Sequence, residues 1–107
     1  MGKQRSLRAL MTLLRKCVRY KISISKRFKK SMKALSASER ELVLDVVQLL
    51  ASAQPLAPSY KDHALKGEYA GFRDCHVKPD LVLIYRVFDD ILELYLADVG
   101  SHSKLGI

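Results

Sequence analysis

The sequence predicts an α+β domain in which one strand, a helical hairpin and a three-stranded antiparallel meander form a twisted four-stranded sheet, with both helices on one face. Three observations predict it. Tyr20–Ser25 (YKISIS) alternates apolar and polar residues, the next segment switches to helical spacing, and from Tyr60 onward the apolar period shifts back toward two, punctuated by Gly67, Gly71 and Pro79. With 107 residues, 49% hydrophobic and 28% charged, the chain has the size and composition of one domain able to bury its own core. Residues 20–107 are expected to form that domain, and residues 1–19 a basic amphipathic extension.

In that extension Leu7, Leu10, Met11, Leu14 and Val18 follow helical spacing, with arginines and lysines between them. Tyr20, Ile22 and Ile24 mark the buried face of the first strand. Ser25 is placed to cap a helix from Lys26 to about Leu35, whose stripe of Phe28, Met32 and Leu35 turns inward while Lys26, Lys29, Lys30 and Lys33 face out as an anion-binding surface. Ser38-x-x-Glu41 reads as the capping box of a second helix ending near Ala53, before Pro55 and Pro58. Its expected stripe is Leu42, Val46, Leu49, Leu50 and Ala53, widened by Val43 and Val47. His63–Gly67 is expected to turn, and Tyr69–Val77 to be a strand with Phe72, Asp74 and His76 on one face and Arg73, Cys75 and Val77 on the other. The nearly continuous apolar run Leu81–Phe88 suits a strand covered on both faces, and Asp89-Asp90 turns it into a last strand, Ile91–Val99.

The net charge of +8 is unevenly placed: residues 1–35 hold twelve Lys or Arg and no acidic residue, and the rest of the chain nets −4. That asymmetry points to a polyanionic partner, nucleic acid before an anionic membrane surface, with a merely solubilising face as the plain alternative. No apolar run reaches the ~18 residues of a membrane-spanning helix. Cys17 and Cys75 are far apart and lack metal-ligand spacing, so free thiols in a reducing, cytoplasmic setting are expected, with no metal or small-molecule cofactor.

Chemistry concentrates in Tyr60–Asp80, which holds His63 and His76, with His102 beyond the last strand. Two histidines with a carboxylate and nearby cations suit RNA cleavage by the internal 2′-hydroxyl, since imidazole, with a reference pKa of ~6.5, serves as either base or acid near neutral pH. A Cys75 thiol nucleophile working with His76 is disfavoured, because adjacent strand residues face opposite ways.

The ordered segments YKDH (60–63), LKG (65–67), FRDCHVKPDL (72–81), LIY (83–85) and GSH (100–102) resemble YafQ-type toxins of the RelE superfamily, as do SKRFKK (25–30) and PLAP (55–58). The resemblance spans about residues 20–106. It implies a RelE-like fold and an endoribonuclease that cuts mRNA at the ribosome and is silenced by a cognate antitoxin. By position, His63, His76, Asp80 and His102 match residues implicated in catalysis: His76 and His102 would transfer protons, Asp80 would orient a histidine or serve as the acid, and Lys61 and Arg73 would hold phosphates. This chain departs from the pattern at Asp98, where the family has arginine, at Leu81, where it often has tryptophan, and at Gly106, where an aromatic is usual. Either Arg73 or Arg86 then supplies the missing cation or activity is low. The alternative is a catalytically weak member that binds RNA, DNA or an antitoxin.

Overall fold

A computed structural model describes residues 19–107. The expected helix in the basic extension lies outside the described residues, apart from Arg19. Strand β1 (Lys21–Ile24) leads into helix α1 (Lys26–Ala34) and helix α2 (Ala37–Ala51). Next come β2 (His63–Ala64), β3 (Arg73–Lys78), β4 (Leu81–Phe88), β5 (Glu93–Gly100) and a single helical turn, α3 (His102–Leu105). This is the expected RelE-like α+β order, with a correction to the sheet. Among the described residues it has five strands, in the order β1-β5-β4-β3-β2, because His63 and Ala64 pair with β3 where a turn was expected. β1 runs parallel to β5, and all the other pairings are antiparallel.

Both helices pack on one face of the sheet. Phe28 and Met32 of α1 and Val43, Val46, Val47 and Ala51 of α2 meet Cys75, Leu83, Tyr85, Leu94, Leu96 and Val99 in one buried cluster. Burial pushes the Cys75 thiol up to about 12, which keeps it an unreactive core residue. Ser25 caps α1 as expected, accepting from the Phe28 N–H at 2.9 Å, and its hydroxyl also donates to the Ala97 carbonyl.

The second helix begins two residues earlier than expected. Ser36 accepts from the Glu39 N–H and Glu39 accepts from the Ser36 N–H, both at 3.1 Å, so the reciprocal cap forms on Ser36 and Glu39 and not on Ser38 and Glu41. Arg40 donates to the Leu35 carbonyl at the end of α1, which fixes the two-residue link. The buried stripe is correspondingly shifted: Val43, Leu44, Val46, Val47 and Ala51 are buried, Leu42 is 42% exposed, and Ala53 lies beyond the helix end.

One irregularity in β5 positions the site. Tyr85 pairs with Leu96 and Ile84 with Asp98, leaving Ala97 as an extra residue on β5. Strict alternation after Leu96 would send Asp98 toward the helices and Val99 away from them. The extra residue reverses this: Val99 joins the helix-side core, and Asp98 moves to the opposite, open face beside Ile84.

Candidate active site on the open face of the sheet

The open face carries a second, smaller apolar cluster of Val82, Ile84 and Leu105, flanked by Leu65, Tyr69 and Phe72. Histidines and carboxylates rim it. His76 on β3 and His102 at the start of α3 stand edge to face, with ring centroids 5.0 Å apart. Asp80, in the β3–β4 turn, accepts from both the His102 backbone N–H (3.1 Å) and ring Nδ1 (2.8 Å). In the neutral ring this contact favours the tautomer with its hydrogen on Nδ1, which leaves the lone pair on Nε2. The two bonds hold the Asp80 carboxyl below the usual carboxylate range although it is 71% exposed.

His63 lies across the β2–β3 pair from Asp74. Its Nδ1 is 2.8 Å from the Lys61 carbonyl and 3.0 Å from Asp74 Oδ1. A single ring hydrogen directed at the carbonyl leaves the Asp74 contact electrostatic, and Asp74 Oδ1 has no hydrogen-bond partner among the described residues. Asp74 is only 3% exposed. Desolvation raises its pKa, opposed by the histidines at 63, 76 and 102. A nearly buried carboxylate therefore sits among all three imidazoles. Sequence reasoning placed Asp74 on the His76 face but assigned it no role. Its period-two spacing from His76 was the available signal, while its neighbourhood to His63 and His102 required the fold.

The predicted phosphate ligands are dispersed. Asp62 accepts from the Arg73 guanidinium at 3.0 and 3.3 Å and from the Tyr85 hydroxyl. Tyr85 belongs to the helix-side core, so this cluster anchors the Lys61–His63 loop on that side, and Arg73 is not brought to the histidine pair. Arg86 is on the open face at the other end of β4, its guanidinium 5.5 Å from the Phe72 ring and 4.7 Å from the Phe88 ring. It also crosses Gly71, whose φ of +93° calls for glycine and where a Cβ would stand 3.2 Å from the guanidinium. Four strand residues, about 13 Å, separate the Phe72 level from His76. Lys61 is exposed in its loop, and Lys26, Lys29 and Lys30 are exposed on α1.

Asp98 is 6% exposed and accepts from the Ser31 hydroxyl at 2.6 Å and the Val99 N–H at 2.8 Å. Lys104 Nζ stands 3.9 Å from it. Neither Ser31 nor Lys104 was among the expected site residues; only the turn of α3 brings Lys104 back onto β5.

A helix-backed antiparallel meander of this kind is the fold of the YafQ and RelE-like toxins. Residues 20–106 match the family described as the bacterial toxin of type II toxin-antitoxin system, YafQ. A protein of Haemophilus influenzae named as a YafQ toxin is 34% identical over 94 residues, 81% of this chain and 92% of that one. Among solved structures, a metal-bound toxin from Helicobacter pylori is 48% identical with a TM-score of 0.72, covering 78% of this chain and 96% of its own. YafQ in the DinJ-YafQ toxin-antitoxin complex of Escherichia coli is 33% identical with a TM-score of 0.69, covering 82% and 98%. The chain belongs to the YafQ family of type II toxins.

Proposed function

We propose that this toxin is an endoribonuclease that cuts mRNA on the ribosome by 2′-hydroxyl attack, with His76 and His102 as its proton-transfer pair, and that a cognate antitoxin silences it. The observation that carries the reading is the His76–His102 contact, with Asp80 holding the His102 tautomer. His102 Nε2 takes the 2′-hydroxyl proton, the 2′-oxygen bonds to phosphorus, and the bond from phosphorus to the 5′-oxygen breaks. Protonated His76 gives its proton to that leaving oxygen, so the products are a 2′,3′-cyclic phosphate and a 5′-hydroxyl, with protons balanced. Asp74 sits among the imidazoles, where a charged ring opposes the desolvation that raises its pKa. The two transfers are completed by side chains, and the scheme calls on no metal. His63, on the far side of Asp74, completes the rim, and Lys61 and the exposed lysines of α1 line the approach for the RNA backbone. Arg73 acts indirectly, by holding Asp62 and so the His63 loop.

An E. coli relative, 42% identical over 57 residues covering 53% of this chain and 60% of its own, is named an mRNA interferase toxin, which supports the substrate class. The YafQ of the DinJ complex supports a protein antitoxin as partner. Incubation with translating ribosomes followed by mapping of RNA 5′ ends tests the reading. New ends are expected at the A site, reduced about 100-fold or more in His76→Ala and in His102→Ala. Identical end maps for wild type and both variants would refute it.

A further inference from the structure

Where α1, β5 and α3 meet, two residues beyond His102, lies a pocket of about 410 Å³, bordered by Arg27 and Lys30 of α1, Tyr69, Asp98 of β5, and Lys104 and Leu105 of α3. Among the described residues three cations line it against one carboxylate, and that carboxylate is almost fully buried. Such a pocket favours an anion.

Lys104 is held in it by a specific construction. Its stem lies over Gly100, where a Cβ would stand 2.8 Å from the lysine Cδ, so a side chain at that position would push the lysine aside. Its ammonium donates to the Ser31 hydroxyl and to the Val99 carbonyl at 3.3 Å, and lies 3.9 Å from Asp98 Oδ1. Ser31 in turn donates to Asp98, so α1, β5 and α3 converge on one ammonium group. The Lys104 side chain nevertheless remains 48% exposed, open to a ligand. It follows His102 by two residues in the same helical turn.

We propose that this pocket holds an RNA phosphate adjoining the scissile one, with Lys104 as the phosphate-binding cation and Asp98 as the positioning residue that keeps it there. The proposal rests on the ribonuclease reading for its ligand, but it is testable without cleavage. An acidic residue at position 98 then does not leave the site without a cation: it recruits one from α3. Arg27 and Lys30 extend the same binding surface from α1.

The test is the affinity of the full chain for a short single-stranded RNA, measured by fluorescence anisotropy over a range of salt concentrations. Lys104→Met, which keeps the stem over Gly100, is expected to weaken binding about tenfold at low salt and to shrink the slope of log affinity against log salt by about 0.7. Lys104→Arg restores most of that loss. In an Asp98→Asn background, which retains an acceptor for Ser31, Lys104→Met is expected to cost less than about threefold, the mark of coupled residues. Unchanged affinity and slope in Lys104→Met overturns the phosphate site, and an equal cost in both backgrounds overturns the positioning role of Asp98. Should Lys104→Met fold poorly, Lys104→Gln, which keeps a donor for Ser31, gives the same readings. An RNA that binds with the expected Lys104 dependence but is never cut by ribosome-bound wild type sinks the nuclease reading and leaves the phosphate site standing.

Discussion

At the scale of single residues the site is a set of carboxylates with opposite environments. Desolvation raises the Asp74 pKa, so folding favours its protonated form. Its contribution to stability is therefore largest in acid and declines as pH rises from the ordinary carboxylate pKa through the folded one. Asp74→Asn is expected to flatten that decline above the ordinary carboxylate pKa, checked by thermal melts at a series of pH values. Asp80 has the opposite sign. Its depressed pKa means that its bonds to His102 stabilise above the unfolded carboxylate pKa and are lost as pH falls through the folded one. On the proposed mechanism Asp80→Asn is expected to lower cleavage about 10- to 100-fold, less than loss of a buried orienting carboxylate, as seen in single-turnover rates. Cys75, with its thiol buried and its pKa raised, is expected to resist alkylation in native protein with Cys17→Ser and to react once denatured.

At the scale of elements, each strand or helix owes its boundaries to local chemistry that is partly degenerate in sequence. Two Ser-x-x-Glu runs overlap at Ser36 and Ser38, and the fold uses the first. Ser36→Ala is accordingly expected to cost about 1 kcal/mol of unfolding free energy and Ser38→Ala less than ~0.5 kcal/mol, measured by urea denaturation. The Ser25 cap of α1 and the span Leu81–Phe88 were legible, since a capping residue before a periodic stripe and a long apolar run each have one good reading. β2 was not. Two exposed residues carry no period, and His63–Ala64 becomes a strand only because the edge of β3 offers unpaired backbone groups. The extra residue at Ala97 was hidden for a similar reason: LADVG alternates acceptably in either phase, and the helix-side core selects the one that buries Val99.

For the whole molecule, charge and topology divide the labour. The helices cover one face of the sheet, the histidines and Asp74 occupy the other, and the Lys104 pocket lies where α1, β5 and α3 meet. With twelve basic and no acidic residues in the first 35, ribosome binding is expected to be driven by phosphate contacts. Co-sedimentation at 50 and 200 mM salt should then show a loss of at least about 100-fold; a salt-independent interaction would point to apolar docking instead.

The α+β order and the two faces of β3 follow from local periodicity, while the family and the candidates His63, His76, Asp80 and His102 follow from the resemblance carried by the ordered motifs YKDH, FRDCHVKPDL and GSH. Which of them meet depends on how the strands and α3 pack. His76 and His102 lie 26 positions apart and come into contact across the meander and the turn of α3. Asp74 acquires its raised pKa from burial that no neighbour in sequence supplies. Arg73 is drawn to Asp62 and away from the histidines, and Lys104 is drawn to Asp98, because a charge settles where the fold has already placed its counter-charge.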